Sequence, residues 1–122
     1  MPTPTYTLLY VDNPPASAGF YQALLGREPV ESSATFALFV FDNGTKLGLW
    51  SRHTVEPAAT AAGGGGEIGF SVPDSATVHA LHDDWRGRGL SILQPPTEMD
   101  FGHSFVALDP DGHRLRVFAL TL

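Results

Sequence analysis

Phe101-Gly-His-Ser-Phe-Val-Ala-Leu-Asp-Pro-Asp-Gly-His-Arg-Leu-Arg-Val-Phe-Ala-Leu120 reads as one β-hairpin. Two runs rich in Val, Phe and Leu flank Asp109-Pro110-Asp111-Gly112. That tetrapeptide has turn chemistry, because Pro presets φ and Gly accepts a positive φ. With residues 109–112 as the loop, Leu108 is expected opposite His113, Val106 opposite Leu115, and Phe105 opposite Arg116. Side chains alternate across a strand. One face then collects Val106, Leu108, Leu115 and Val117, and reads as core. The other collects His103, Phe105, Arg114, Arg116 and Phe118, and reads as the wall of a cavity.

The same grammar recurs upstream. Residues 5–11 read as a strand; Asn13 caps a helix begun by Pro14, carrying Phe20, Tyr21, Leu24 and Leu25, and stopped by Gly26. Residues 28–33 suggest a short strand. Thr35 to Phe41 and Thr45 to Ser51 flank Asn43-Gly44, a two-residue hairpin signal. That register puts Leu38, Val40, Leu47 and Leu49 on one face, and Ala37, Phe39, Phe41, Lys46, Gly48 and Trp50 on the other. Residues 52–66, with Pro57 and the run Gly63 to Gly66, read as a flexible connector. No Lys-Ser/Thr and helix follow the glycines, so a phosphate cradle is not indicated.

Glu67 to Val72 alternate as a strand, with Ile68, Phe70 and Val72 one way and Glu67, Gly69 and Ser71 the other. Asp74 or Ser75 caps a second helix, with Val78, Leu81 and Trp85 on one side and an end at Gly87 and Gly89. Residues 90–93 read as a strand and 94–100 as a loop. His79 and His82 have the i, i+3 spacing of an ion clamp, but beside Asp83 and Asp84 they read as solvated, and His113 reads as a strand-end residue. The chain is thus two βαβββ units, 5–51 and 67–120, each of roughly 55–60 residues, joined by 52–66. The expected fold is α+β within one domain over 1–122: a curled mixed sheet around a cup, with helices outside.

Composition bounds the function. The 122 residues are 43% hydrophobic and 16% charged, with a formal net charge of −6 and no cysteine. Acidity argues against nucleic acid or an anionic membrane surface as partner. Thiol and disulfide chemistry are excluded. Met1-Pro-Thr-Pro lacks a basic and apolar signal segment, and no apolar run approaches a membrane span, so a cytoplasmic location is expected.

Val11-Asp12 before Phe20-Tyr-Gln-Ala-Leu-Leu-Gly26, then Ile68-Gly-Phe-Ser-Val72, then Asp109-Pro-Asp-Gly112, resembles the vicinal oxygen chelate superfamily. This is the glyoxalase, bleomycin-resistance and dioxygenase fold. Within it, Phe36-Ala-Leu-Phe39 and Lys46-Leu-Gly-Leu-Trp-Ser-Arg-His53 are similar to a drug-binding branch that confers resistance to phenazine antibiotics. Enzymes of the superfamily hold a divalent metal on inward side chains. The positions carried over here are Thr5, Gly48, Glu67 and Arg116. Only Glu67 ligates well, and Arg116 is a fixed cation. The resemblance therefore implies a metal-free, cofactor-free binding protein that sequesters a small planar aromatic molecule. It also implies a homodimer whose cup is shared between subunits. The expected ligand-binding set is Phe39, Phe41, Gly48, Trp50, Arg52, His53, Glu67, His103, Phe105, Arg116 and Phe118, with no catalytic residue. The alternatives are a metal-dependent enzyme of the superfamily (lyase, isomerase, thiol transferase or extradiol dioxygenase) and a module that senses or carries its ligand.

Overall fold

The computed structural model describes residues 2–121. Met1, which opens the N-terminal stretch read above, and Leu122, the last residue of the expected domain, lie outside the described residues. The chain divides into two compact units, Met1–Ala62 and Gly63–Leu122.

The first unit runs β1 (Tyr6–Val11), α1 (Pro14–Leu25), β2 (Glu31–Ser32), β3 (Phe36–Val40) and β4 (Lys46–Ser51). Its sheet has the order β1-β4-β3-β2. The helix starts because the Asn13 side chain accepts from the Ala16 N–H at 3.1 Å, with prolines in the first turn. It stops because Gly26 takes φ 65° and donates back to the Gln22 carbonyl. The second unit repeats the plan: β5 (Glu67–Ser71), α2 (Ser75–Gly87), β6 (Ser91–Met99), β7 (Gly102–Leu108) and β8 (Arg114–Leu120), with sheet order β5-β8-β7-β6. Asp74 caps α2 on the Thr77 N–H at 2.8 Å. The fold is α+β with two four-stranded mixed sheets, as expected. Among the described residues no helix is long and apolar enough to cross a membrane.

Both hairpins differ from the sequence reading by one residue, for one reason. In the first, Phe41 N–H donates to Thr45 O and Gly44 N–H to Phe41 O, leaving Asp42, Asn43 and Gly44 as the loop. In the second, Asp109 N–H donates to His113 O and Gly112 N–H to Asp109 O, leaving Pro110, Asp111 and Gly112. Each loop is a tight turn closed by a glycine in the left-handed region, φ 87° at Gly44 and 81° at Gly112. Polar side chains lock them. Asn43 Oδ1 accepts from Thr45 N–H, and Asp109 Oδ1 accepts from Asp111 and His113 N–H groups.

A one-residue change exchanges the faces of one strand relative to its partner. Phe39 pairs with Leu47 and Leu38 with Gly48. Phe105 pairs with Val117 and Val106 with Arg116. Phe39, Leu49, Phe105, Leu115 and Val117 are fully buried. Phe105 packs edge-on against Trp85 and His82 of α2, at 5.4 Å between centroids in each case. Trp85 also meets Phe70 edge-on at 5.6 Å. The helix-covered faces are therefore aromatic as well as aliphatic. On α1 the fully sheltered residues are Pro14, Ser17, Ala18 and Tyr21, with Phe20, Leu24 and Leu25 half-buried.

Two further differences concern prolines and glycines. Residues 94–99, read as loop, continue β6, with register shifts between Ile92 and Gln94 and between Gln94 and Thr97. Pro95 and Pro96 are tolerated because β6 is an edge strand and the two fall within the second register shift, where the regular ladder bonds to β7 are interrupted. The connector is anchored rather than free. Val55 is buried, and a Cβ on Gly63 would meet the backbone of Asp111, Gly112 and His113 at 2.8–2.9 Å.

Candidate functional site

In the first unit, β1 pairs with β4 in parallel, setting Tyr6 beside Lys46, Leu8 beside Gly48 and Tyr10 beside Trp50. With Phe36 opposite Trp50 and Leu38 opposite Gly48, these side chains share one sheet face. That face stays open: Tyr6 is 54% exposed, Leu8 45% and Tyr10 40%. Tyr6, Leu8, Phe36 and Trp50 line an open cavity of ≈ 630 Å³. Phe36 and Trp50 meet edge to face at 6.1 Å, a favourable aromatic geometry that braces both rings. The Lys46 ammonium lies 5.1 Å from the Tyr6 ring centre and is the cationic group beside this wall.

Gly48 is buried beneath these side chains. A Cβ there would fall 2.6 Å from Leu8 Cδ2 and 3.0 Å from Phe36 Cζ. The space over Gly48 is filled by the tips of Leu8 and Phe36, so the glycine is a seat for two side chains rather than open space for a ligand.

In the second unit, β5 and β8 set Glu67 beside Arg114, Gly69 beside Arg116 and Ser71 beside Phe118. Arg116 is engaged at all three of its nitrogens. Its Nε donates to Glu67 Oε1 at 2.9 Å, Nη2 to Oε2 at 2.8 Å, and Nη1 to Ser104 Oγ at 3.1 Å. The guanidinium hydrogen bond holds the Glu67 carboxyl below its ordinary value of 4.5, and the same contact raises Arg116. Phe118 leans over Gly69, whose Cβ would meet Phe118 Cε1 at 3.1 Å. Glu67, Phe101, Arg116 and Phe118 line a smaller pocket of ≈ 340 Å³.

A third cluster sits at the end of β1. Asp12 Oδ1 lies 2.7 Å from His53 Nε2 and accepts from Arg52 Nη2 at 3.3 Å. The His53 hydrogen bond, then the Arg52 charge, lowers the Asp12 carboxyl against the opposing effect of desolvation. Arg52 and His53, with Ala59, Thr60, Ala61 and Ala62, line an open cavity of ≈ 290 Å³.

The expected site residues thus separate. Gly48 and Trp50 belong to the open face of the first unit, and Arg52 and His53 to the cluster beside it. Glu67, Arg116 and Phe118 share the open face of the second unit. Phe39, Phe105 and His103 are corrected: the loop register turns them to the helix-covered faces. Phe41 stands at the hairpin mouth beneath the Arg27 guanidinium, 5.8 Å away. His82, read as solvated, is only 12% exposed in its side chain, against Phe105. Tyr6, Leu8 and Phe36 were missed. The unassigned parity of residues 5–11 hid the first two, and the loop length hid Phe36.

The comparisons with known proteins agree with this architecture. The glyoxalase/bleomycin resistance protein/dioxygenase superfamily model matches residues 3–117. The chain belongs to that superfamily. It is 31% identical over 121 residues to the phenazine antibiotic resistance protein EhpR of Enterobacter agglomerans, covering 97% of this chain and 92% of that protein. It is 58% identical to protein ATC0852 of Agrobacterium tumefaciens, whose solution NMR structure matches over 100% of both chains with a TM-score of 0.93. A glyoxalase/bleomycin resistance protein/dioxygenase from Nocardioides, 24% identical, shares the fold over 98% of this chain and 84% of its own, with a TM-score of 0.82.

The superfamily's metal positions can be tested on these side chains. Counting from the paired loop residues Thr45 and His113, Lys46 and Arg114 are equivalent, so their neighbours Tyr6 and Glu67 are too. Tyr6, not Thr5, is the counterpart of Glu67. The donor set is then Tyr6, Gly48, Glu67 and Arg116. It holds one carboxylate, and both oxygens of that carboxylate are taken by a guanidinium. These residues do not fit a divalent ion, which needs about three protein ligands in a catalytic site. Among the described residues no three His, Cys, Asp or Glu side chains converge elsewhere.

Proposed function

We propose that this protein is a drug-binding member of the superfamily that confers resistance by sequestering a planar aromatic antibiotic, phenazine-like, without turning it over. The observation that carries the reading is the open wall of Tyr6, Leu8, Phe36 and Trp50, ≈ 630 Å³ in volume. That volume is in the range of small-molecule sites, and such sites are mostly apolar with few polar groups. Flat heterocycles stack on such rings, each aromatic contact contributing about 0.5–1.5 kcal/mol beyond burial. Lys46, whose ammonium also donates to the Gly44 carbonyl at 3.2 Å, stands beside the wall as a hydrogen-bond donor and positive charge for an anionic group on the ligand rim, while Arg116 is occupied by Glu67 and Ser104. The similarity to a phenazine antibiotic resistance protein supports the same reading. The mismatch of the metal positions favours binding over metal-assisted turnover.

The reading includes a homodimer in the cytoplasm. An exposed sheet face carrying Tyr6, Leu8 and Tyr10 supports it, since apolar patches of this kind mark ligand or subunit contacts. The test is protection. Phenazine-sensitive cells expressing the protein should survive a dose that kills control cells, and the phenazine recovered from them should be chemically unchanged. Recovery of a modified phenazine, or protection that survives Trp50→Ala unaltered, refutes sequestration at this wall.

A further inference from the structure

On the helix-covered side of the second unit, two histidines from different elements face each other. His79 lies on α2 and His103 on β7. Their ring centroids are 5.1 Å apart with planes tilted by 42°. Neither ring makes a hydrogen bond among the described residues, so their nitrogens are uncommitted. Two imidazoles sharing one tetrahedral ion, each with a metal–nitrogen bond of about 2.1 Å, place their centroids about 5 Å apart. The pair therefore already stands at the spacing an ion requires, and side-chain rotation about χ2 aims the nitrogens.

The surroundings favour this use. His103 follows Gly102, whose φ of 143° leaves no room for a Cβ beside the Ala119 backbone. His103 pairs across the ladder with Glu98 of β6, on the same sheet face. Glu98 is exposed beside His103, and among the described residues no three such groups converge in this conformation. His82, one turn along α2, is excluded because it packs on Phe105 and meets Asp83 at 3.2 Å.

We propose that His79 and His103 clamp one borderline divalent cation, of the Zn2+, Ni2+ and Cu2+ class, with Glu98 as a third, oxygen ligand. Neutral imidazole suits these ions, and two histidines with one glutamate leave a fourth position open to water. The site lies in the second unit, on the sheet face opposite Glu67 and Arg116, and shares no residue with the Tyr6, Leu8, Phe36 and Trp50 wall of the drug-binding reading.

The experiment is calorimetric titration of the full chain with ZnCl2 alone, after chelator treatment and dialysis. One ion per chain with micromolar affinity is expected. His79→Ala and His103→Ala should each weaken binding at least tenfold, and Glu98→Gln by severalfold. His79 is exposed, so His79→Ala retains the fold, which circular dichroism verifies. In NMR spectra, the imidazole signals of His79 and His103 should move on zinc addition. Absence of binding at millimolar zinc overturns the proposal. So does binding retained in both alanine variants, or movement confined to His53 or His113. Phenazine titrations should be unchanged in His79→Ala, so failure here is distinguishable from failure of the drug-binding reading.

Discussion

Phe105→Ala separates the observed register from its neighbour. Phe105 is 0% exposed and meets both Trp85 and His82 edge-on at 5.4 Å. Truncating such a ring removes its burial and leaves a cavity, at a cost of about 3–5 kcal/mol. For a chain of this size that loss lowers Tm by about 10–20 °C. Phe118 provides the contrast. It sits on the open face, half-buried, with one edge-on partner in Phe101 at 6.3 Å. Phe118→Ala should cost about 1–2 kcal/mol, since less apolar area is lost and the site is open to solvent. Urea unfolding followed by tryptophan emission reads both, and Trp85 reports directly on the Phe105 site. The reasoning fails if Phe105→Ala costs under about 1 kcal/mol while Phe118→Ala costs more. That outcome would mean that Phe105 faces the open side, as the longer loop implied.

Gly102→Ala should unfold the protein or lower Tm severely, because φ 143° is closed to alanine and its Cβ would fall on the Ala119 carbonyl; thermal melting checks this. Glu67→Gln should cost about 1–2 kcal/mol at neutral pH, discounted for the pair's partial exposure. The folded Glu67 pKa is depressed, so its contribution is present above the unfolded value near 4.5 and vanishes as pH falls through the folded value. Urea titrations from pH 7 down to 3 should therefore show wild type and Glu67→Gln converging on the acid side. Analytical ultracentrifugation at micromolar concentration should give twice the chain mass, and a monomer with full ligand affinity would remove the shared cup.

Helices and strands were legible because their signals are local. Asn13 and Asp74 cap, Gly26 terminates, and Ile68-Gly-Phe-Ser-Val72 alternates. The duplication was legible because both units repeat those signals in order. Facing was harder, because parity across a hairpin depends on one loop residue. Asn43-Gly44 suits a two-residue turn, yet the bond from Phe41 N–H to Thr45 O adds Asp42 to the loop. Asp109-Pro-Asp-Gly112 looked like a four-residue loop, yet Asp109 joins the ladder opposite His113 and turns its carboxylate back onto the backbone. Each choice moved a phenylalanine, Phe39 or Phe105, from the imagined cavity to the core. The Arg116–Glu67 pair was also hidden, since residues 49 apart meet only through the parallel β5–β8 ladder.

Calorimetric titration of the purified protein with phenazine, repeated with Trp50→Ala, tests the sequestration site most directly. Wild type should bind with saturable affinity. Trp50→Ala should bind more weakly by about 1–3 kcal/mol, roughly 5- to 150-fold, because one large ring of the wall is lost. A carboxylated phenazine should lose by a similar factor, since the ring system and not the carboxylate meets Trp50. Equal affinity in wild type and Trp50→Ala, or no binding of either phenazine by wild type, would contradict the site.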